Sequence, residues 1–367
     1  MIRLRAPGRI CLFGEHQDYL NFPVMAMAIS KYIYLEAERI LESKFLIDMP
    51  DISQQLEIKL NKKELEYQSK RDYIRSGYNQ FLRKGAGFDK GYKITITGDI
   101  PINAGVASSS ALVMVWLLFL KIISNKKIKA FQLAIDGYNT EVKEFKEGGG
   151  MMDHFASTFG NLIYLKPILA KPDLIHYKVK LNGFILGNSM EKKETVDDLI
   201  RVKNASLNAF KELKNLMPNF NQYTTNLEEI EPFLHNLKKE YQKKILGNIH
   251  NRNYTIKAKE LIERNRNILL KEEYSKKTLK FYKSLAILLD LHQKQLKENI
   301  KVSTRKIDNI LLKCKSSGAL GGKINGSGFG GTLFALSPGN EEEIKNVIEE
   351  AGGEAFIIKT SNGAEYF

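Results

Sequence analysis

A short junction at residues 93–124 joins a strand pattern, a loop of small residues and a strongly apolar helix. "KITITGD" alternates β-branched and polar residues, as strands do, and "SSALVMVWLLFLKIIS" is apolar enough for a buried helix. Because the first N–H groups of a helix have no intrahelical partner and the helix dipole is positive there, such a start attracts anions. The serines therefore suit either a cap for a core helix or a cradle for phosphate. No lysine follows the glycine, which excludes a Walker A loop.

Glycines dominate a second segment, "GGKINGSGFGGTLFAL" at residues 321–336. Five of the ten residues from Gly322 to Gly331 are glycine, and an apolar strand pattern follows directly. Because glycine loses much backbone entropy on folding, such density indicates the close approach of a ligand or of another backbone. A flexible hairpin is the alternative interpretation.

A cluster of polar residues marks a third segment, "APGRICLFGEHQDYLNFPVMAMAI" at residues 6–29. Glu15, His16 and Asp18 follow the glycine at position 14, and Arg9 lies upstream in a strand pattern. Two carboxylates and an imidazole suit hydrogen bonds to the hydroxyls of a sugar or polyol, although a polar surface loop would have the same composition. The segment lacks the His-x-x-x-His spacing of a helical metal site, which argues against metal binding here.

Composition limits the function classes. The 367 residues are enough for two domains, and the formal net charge is +14. Much of the positive charge lies between Lys238 and Lys301, where lysines alternate with apolar residues at helical spacing. This pattern predicts solvated helix faces, and no nucleic-acid-binding motif accompanies it, so we expect no nucleic-acid partner.

The cysteine content and the length of the apolar runs favour the cytoplasm. Only Cys11 and Cys314 are present, which rules out a disulfide framework and fits a reducing compartment. The longest strongly apolar run, Ala111 to Leu120, is shorter than a bilayer span, and the N-terminus carries no signal-peptide pattern. We therefore expect no membrane partner.

Strand and helix patterns divide the chain into two halves and predict an α+β fold. Strands predominate in the first 100 residues, a helix is predicted from Ala130 to Lys146, and helices fill residues 195–296. A glycine loop with a strand, a helix and a final strand close the chain. The predicted domains are residues 1–175 and 176–367.

Taken in chain order, the three segments resemble the three motifs of the GHMP kinase superfamily: "PGRICLFGEH", "PINAGVASSSA" and "KINGSGFGGT". The resemblance implies a two-domain fold, with a ribosomal-protein-S5-like N-terminal domain and a ferredoxin-like C-terminal domain. Within the superfamily, "GEHQDY", "GGGMMDHFASTFG" and "TSNGAEYF" are most similar to galactokinase sequences. That similarity implies ATP-dependent phosphorylation of a monosaccharide at its anomeric hydroxyl.

The resemblance also assigns roles to residues. It implies that Asp153 accepts the proton of the sugar hydroxyl with Arg9 as its partner, and that Ser110 and Glu141 hold Mg²⁺, with Glu144 as the alternative to Glu141. The residues expected to contact sugar hydroxyls are Glu15, His16, Asp18 and Asn188. Those expected to contact ATP are Gly105, Ala107, Ser108, Ser109, Ser110, Gly326 and Gly328.

Departures from the galactokinase pattern leave the acceptor open. Gln17 and His154 replace threonine and glutamine, and "LNF" at residues 20–22 replaces an Asn-Gly-Gly sequence. The galactokinase Tyr-Asn-x-Arg-Arg segment has no clear match near "VDDLIRVKNASLNAF" at residues 196–210. A site that leaves buried polar groups unmatched binds a ligand poorly, so changed residues at these positions change which sugar fits. The acceptor could therefore be another hexose, a pentose, an amino sugar or a uronic acid.

Two other functions within the superfamily are compatible with the sequence. "VSTRKIDNIL" at residues 302–311 resembles a stretch of mevalonate-type kinases, which would make the acceptor a non-sugar alcohol. Some galactokinase-like proteins sense sugar and ATP without turnover, although all four residues that the resemblance assigns to catalysis and metal binding are present here. The sequence does not distinguish a monomer from a dimer.

Overall fold

The computed structural model describes residues 1–61, 63–101, 105–168, 171–191, 196–271 and 274–367. Strands and helices are mixed along these residues, which confirms the α+β class. The strands are β1 (Ile2–Phe13), β2 (Val24–Ile40), β3 (Lys44–Met49), β4 (Gln54–Lys59), β5 (Gly91–Gly98), β6 (Leu162–Lys166), β7 (Asp173–Tyr177), β8 (Phe184–Asn188), β9 (Gly321–Ile324), β10 (Thr332–Leu336), β11 (Glu354–Ile358) and β12 (Glu365–Tyr366). The α-helices are α1 (Tyr73–Arg83), α2 (Ser108–Ile123), α3 (Ala130–Tyr138), α4 (Met152–Phe159), α5 (Val196–Leu216), α6 (Leu227–Leu234), α7 (Lys239–Asn265), α8 (Lys276–Gln295), α9 (Arg305–Ser316) and α10 (Glu341–Glu350).

The larger sheet has the strand order β12-β1-β2-β5-β3-β4, and β6 and β7 extend it from the first part of β2. All pairs are antiparallel except β3 with β5. The long strand β2 holds the sheet together because its first residues pair with β6 and its last residues pair with β5. The final strand β12 returns to pair with β1, so the end of the chain is part of this sheet.

The smaller sheet has the order β11-β8-β10-β9, and every pair in it is antiparallel. Helices separate β8 from β9, and α10 separates β10 from β11. This is the βαββαβ connectivity of ferredoxin-like domains, as the sequence resemblance implied. A separate core of buried aliphatic residues joins this sheet to α9 and α10.

Helix α2 lies in the main core beside the larger sheet. Its apolar residues from Val113 to Leu120 are buried on nearly all sides, which explains why the sequence shows no polar face. Trp116 is fully buried, and its Nε1 donates a hydrogen bond to the Ile74 carbonyl at 2.9 Å. The packing fixes the helix start, and with it the serines at positions 108–110.

A shift in the pairing of β1 with β2 between Pro7 and Arg9 brings β1 to the loop before α2. The Arg9 amide donates to the Val106 carbonyl at 3.0 Å. A Cβ on Gly8 would lie 2.8 Å from that same carbonyl oxygen, so only glycine allows this approach. The bulge therefore places Arg9 beside the start of α2.

Helices α5, α6 and α7 form a third apolar cluster. Leu20 and Phe22, from the loop after β1, pack into it, and the Phe22 ring meets the Phe210 ring edge-on at 5.1 Å. The lysines of α7 are mostly exposed while Tyr241, Ile245 and Ile249 are buried, which fits the predicted solvated helix faces. This cluster anchors the loop of residues 14–22 from its outer side.

Two features bear on the sequence-based segmentation. The helix predicted from Ala130 to Lys146 is α3 followed by a π-helical turn at Asn139–Lys143, which rotates Glu141 relative to a regular helix. The predicted domain boundary at residue 175 lies within β7, which pairs with β6 in the larger sheet, and the boundary stays a prediction. Among the described residues, no helix combines the length and apolar character needed to cross a bilayer.

Candidate active site

A cleft of about 760 Å³ lies where the loop after β1, the start of α2 and the turn after β9 meet. The π-helical turn after α3 and the glycine loop before α4 complete its walls. Its lining residues include Arg9, Gly14, Glu15, His16, Asp18, Tyr19, Arg71, Tyr73, Gly105, Ala107, Ser108, Ser109, Ser110, Glu141, Glu147, Gly148, Gly149, Gly150, Met152, Asp153, His154, Gly326 and Ser327. The cleft thus brings together most of the site residues expected from the sequence.

Arg9 and Asp153 form a two-pronged ion pair inside the cleft. Arg9 Nε donates to Asp153 Oδ1 and Nη2 donates to Oδ2, both at 2.7 Å. Burial alone would lower the pKa of Arg9, but the charge of Asp153 and its hydrogen bonds outweigh it, and the pKa is raised. The Arg9 side chain is 6% exposed, whereas 25% of the Asp153 side chain is exposed. Arg9 therefore holds a carboxylate that a ligand can reach.

The start of α2 carries no side-chain cap. The capping position is Ala107, which has a left-handed backbone (φ 64°) and no side-chain acceptor, and Ser108, Ser109 and Ser110 form the first turn. The interpretation that a serine caps this helix is therefore wrong. The first N–H groups of the helix and the serine hydroxyls instead border the cleft. Uncapped helix starts of this kind are suited to binding anions.

Ser110, Glu141 and His154 form a buried polar group beside this helix start. Ser110 Oγ donates to Glu141 Oε2 at 2.7 Å, and His154 Nε2 lies 2.7 Å from the same oxygen. Burial alone would raise the pKa of Glu141, but His154 and the neighbouring serines more than offset it, and the pKa is lowered. Glu144 lies elsewhere, because Arg83 binds its carboxylate at 2.8 Å. Of the two glutamates considered from the sequence, Glu141 is the one that faces Ser110.

Asp18 lies at the other end of the cleft, beside Asp153. Burial and the negative charge of Asp153 raise the pKa of Asp18 to about 6. Oδ1 of Asp18 accepts a hydrogen bond from the Tyr19 amide at 2.8 Å. A Cβ on Gly150 would lie 1.8 Å from Oδ2, so the glycine loop packs directly against this carboxylate. Two carboxylates therefore face this end of the cleft.

His16 uses both ring nitrogens on protein groups. Nε2 lies 3.0 Å from the Ser327 carbonyl oxygen, and Nδ1 lies 3.3 Å from the Tyr19 hydroxyl. Burial lowers its pKa to about 4, so the ring is neutral near pH 7. It donates from Nε2 and accepts at Nδ1. Its role in the structure is to connect the loop after β1 to the turn after β9.

Glu15 forms a buried ion pair with Lys323, which sequence reasoning did not identify. The Lys323 ammonium contacts Glu15 Oε1 and also donates to the Cys11 carbonyl at 3.0 Å. The Nδ1 atom of His292 lies 3.9 Å from Glu15 Oε2, and its Nε2 accepts a hydrogen bond from the Gly14 amide at 3.1 Å. Burial raises the pKa of Glu15 although Lys323 opposes the shift. Oε1 of Glu15 is thus held by Lys323, whereas Oε2 is buried without a hydrogen-bond partner among the described residues.

The two glycine-rich segments touch at Gly105 and Gly326. Both have positive φ, and a Cβ on Gly326 would lie 2.8 Å from the Gly105 carbonyl oxygen. That oxygen accepts hydrogen bonds from Arg9 at 2.7 Å and from Asn325 at 3.1 Å. Asn325 is fully buried, and its Oδ1 accepts from the Cys11 amide, so this one side chain connects all three segments.

Two residues expected in the site lie elsewhere among the described residues. Asn188 ends β8 in the smaller sheet, and its side chain accepts from the Met190 amide at 3.2 Å. Gly328 packs against Val302, where a Cβ would lie 2.3 Å from the carbonyl oxygen. Neither is among the residues that line the cleft in the described part of the chain.

A smaller, mostly apolar pocket of about 160 Å³ opens beside the first turn of α2. It shares Ser108 and Ser109 with the cleft. Its other lining residues include Ile33, Met49, Ile52, Ile96, Ile100 and Leu112. An apolar pocket next to an anion site is suited to a ligand with a flat base and a phosphate chain.

Three protein-family models match the chain. The GHMP kinases N terminal domain matches residues 72–161, and the GHMP kinases C terminal domain matches residues 275–355. The galactokinase galactose-binding signature matches residues 2–39, which include Arg9, Glu15 and Asp18. These matches confirm the resemblance inferred from the motifs.

Relatives extend the similarity over nearly the whole chain. A mevalonate kinase of Pyrococcus furiosus is 26% identical over 371 residues, covering 97% of this chain and 95% of that protein. A galactokinase of Streptococcus thermophilus is 24% identical over 367 residues, covering 95% of this chain and 87% of that protein. Among solved structures, Lactococcus lactis galactokinase complexed with galactose superposes with a TM-score of 0.84 at 19% identity, covering 100% of this chain and 95% of that one. This likeness confirms the two-domain fold.

Proposed function

Because the chain belongs to the GHMP kinase superfamily, we propose that it transfers the γ-phosphoryl group of ATP to the anomeric hydroxyl of a monosaccharide. Its relatives support phosphoryl transfer in general, since both galactokinases and mevalonate kinases are among them. The observation that carries the proposal is the position of the Arg9–Asp153 pair, in one cleft with the uncapped start of α2. A reachable carboxylate and an anion site in the same cleft are the two parts that phosphoryl transfer requires.

The nucleotide would lie along the start of α2. The N–H groups of Ser108, Ser109 and Ser110 and the Ser108 hydroxyl would bind the phosphates, since no side chain caps this helix start. The apolar pocket that shares Ser108 and Ser109 would take the adenine base. Gly105 and Gly326 would allow the phosphate chain to approach the backbone closely.

The residues at the helix start fit Mg²⁺. Ser110 and Glu141 offer hard oxygen ligands at adjoining positions, and the pKa of Glu141 is lowered, which favours the charged carboxylate that the ion prefers. With phosphate oxygens and water these two side chains would complete its coordination. When bound, the ion would offset the charge of the phosphates.

Asp153 and Arg9 would activate the acceptor. Asp153 accepts the proton of the acceptor hydroxyl as the hydroxyl oxygen bonds to the γ-phosphorus, and the bond from that phosphorus to the β–γ bridging oxygen breaks to release ADP. Arg9 keeps the carboxylate oriented through two hydrogen bonds and offsets negative charge near the transferring group.

The charge at the acceptor end favours a neutral sugar over an acidic acceptor. Asp18 and Asp153 both face this end, and the pKa of Asp18 is raised to about 6 by burial and by Asp153. An acceptor carboxylate, as in mevalonate or a uronic acid, would meet the same repulsion. A pair of sugar hydroxyls can instead donate hydrogen bonds to the two carboxylates.

Mevalonate is the second candidate acceptor because of the 26% identical relative. The segment "VSTRKIDNIL" supports it less, since Thr304 caps α9 and Ser303 binds Asp308 at 2.7 Å, both structural roles.

We also infer a cytoplasmic location from the two buried, unpaired cysteines.

A screen of acceptors with ADP release as the readout tests the proposal. The panel contains hexoses, pentoses, amino sugars, uronic acids and mevalonate, and loss of the reducing end in the product identifies transfer to the anomeric oxygen. Asp153→Ala should abolish turnover and leave nucleotide binding intact. Asp173→Ala, which removes a carboxylate from an exposed surface ion pair, is the control and should keep normal turnover. Turnover of mevalonate alone, or near-normal turnover by Asp153→Ala, would overturn the assignment.

A further inference from the structure

Helix α5 takes part in the acceptor end of the cleft through Lys203. Its Nζ donates to the Gly148 carbonyl at 2.9 Å, in the glycine loop that precedes Asp153. The same ammonium lies 5.5 Å from the centre of the Tyr19 ring. Lys203 is not among the cleft-lining residues in the described part of the chain, but both of its partners are.

These contacts form a continuous belt of five residues, four of which line the cleft. We define the belt as Ser327, His16, Tyr19, Lys203 and Gly148, in the order in which they touch. The first three come from the turn after β9 and the loop after β1, and Gly148 comes from the glycine loop. Lys203 is the member that joins these two walls across the opening.

Asp18 contacts both walls that the belt joins. Its Oδ1 accepts a hydrogen bond from the Tyr19 amide, and its carboxylate packs against the backbone of Gly150, two residues from the carbonyl that Lys203 binds. Movement of the glycine loop away from Tyr19 would therefore separate Gly150 from Asp18 and widen the space in which a sugar must bind. The loop leads into α4, whose first turn carries Asp153, so the spacing of the two carboxylates depends on the loop.

We propose that Lys203 is a positioning residue that closes this belt, sets the width of the acceptor end and so limits the acceptor to a monosaccharide. The inference rests on the proposed function, because it assumes that the acceptor binds between Asp18 and Asp153. It explains how a helix that lacks the galactokinase tyrosine segment is still connected to the site, through Gly148 and Tyr19.

Removal of the ammonium gives the main test. Lys203→Met should raise the acceptor KM about tenfold because a hydrogen bond and a cation–π contact are lost, with a smaller effect on the KM for ATP. It should also admit larger acceptors such as disaccharides. Lys203→Arg keeps a cation of similar reach and should restore the acceptor KM. Lys214→Met, an exposed lysine in the last turn of the same helix, is the matched control.

A pH profile provides a readout that a merely structural role would not move. The charged groups that act on Asp18 are Asp153, Lys203 and Arg9, and Asp18 in turn acts on Tyr19 and Tyr138. Because Lys203 favours the ionised carboxylate, its removal should move the acidic limb of kcat/KM for the acceptor to higher pH. Lys214→Met should leave that limb in place.

The outcomes separate this inference from the proposed function. If the wild-type protein turns over no acceptor of the panel, the proposed function fails. The effect of Lys203 on Asp18 is then tested without an acceptor, by the pH dependence of unfolding of the free protein: the Asp18 titration must move to higher pH in Lys203→Met. If the wild-type protein is active, an acceptor KM within about twofold of wild type and an unmoved acidic limb in Lys203→Met would overturn the role of Lys203.

Discussion

Asp18→Asn should stabilise the protein at neutral pH while it removes acceptor binding. In the fold, burial and the charge of Asp153 raise the pKa of Asp18 from 3.8 to about 6. In the unfolded chain the carboxyl keeps its ordinary value. Ionised Asp18 is therefore unfavourable to folding, and a neutral amide of the same shape relieves the repulsion. The amide oxygen can still accept the hydrogen bond that the Tyr19 amide now gives to Oδ1 at 2.8 Å.

The magnitude follows from the shift of about two pKa units. At about 1.4 kcal/mol per unit this gives roughly 3 kcal/mol as an upper limit. Solvent screens a carboxylate at the edge of a cleft, so we expect a gain of about 1–2 kcal/mol in the free energy of unfolding.

The sign can be checked by pH. Below the unfolded pKa both states hold the proton, and the variant gains nothing. Between 3.8 and about 6 only the folded state keeps the proton, so wild-type stability falls relative to the variant as pH rises. Above about 6 both states are ionised and the difference is constant at its largest value.

Urea unfolding at several values between pH 4 and pH 8 measures this difference. Asp173→Asn, which removes a carboxylate from an exposed surface ion pair with Lys166, is the control and should change stability by less than about 1 kcal/mol at every pH. An Asp18→Asn protein that is no more stable than wild type at pH 7.5, or whose gain is the same at pH 4, would refute the reasoning. The activity assay with the same protein should show loss of acceptor use with nucleotide binding retained.

Two further substitutions test neighbouring parts of the cleft. Gly150→Ala should raise the acceptor KM by about tenfold or more, because the added Cβ would lie 1.8 Å from Asp18 Oδ2. Gly149→Ala is the control: its added Cβ would lie 3.5 Å from a Val142 methyl, so this variant should behave as wild type in the same kinetic assay. His154→Leu removes the hydrogen bond to Glu141 and should weaken the Mg²⁺-dependent part of nucleotide affinity by about tenfold in titration calorimetry. His154→Gln should stay close to wild type. An equal loss of affinity with and without Mg²⁺ would contradict the role of His154.

Two local features of the cleft could be predicted from the residue pattern because each depends on a few adjacent residues: the start of α2 and the glycine density around Gly326. The approach of Arg9 to Asp153, across 144 residues, was expected from the resemblance alone. The structure shows the pair at 2.7 Å. Its catalytic role stays a prediction. A serine cap was one of two interpretations of this helix start, and it is wrong because the capping residue is Ala107, a type that rarely adopts the left-handed backbone found there.

Pairings over long sequence separations could not be predicted. Glu15 was expected to bind sugar, but its partner Lys323 lies 308 residues away and appears in the sequence only as one lysine of a glycine-rich motif. The same is true of His16, whose ring contacts the carbonyl of Ser327. Patterns of periodicity specify which residues face a core, whereas they do not specify which polar groups meet inside it.

Under the proposed function, sugar recognition would divide between groups that face the ligand and groups that hold those groups in place. Glu15 and His16 are buried and bound to Lys323 and Ser327, so a change at either would act first on the shape of the loop after β1. Asp18 lies beside Asp153 and has a raised pKa, so its ionisation is unfavourable in the free protein. Such perturbed groups are typical of sites that bind a ligand. A sugar hydroxyl that donates to Asp18 would stabilise the ionised form, and by linkage acceptor binding should release a proton near pH 6. The proposed acceptor would thus add a hydrogen bond to the one that Asp18 accepts from the Tyr19 amide.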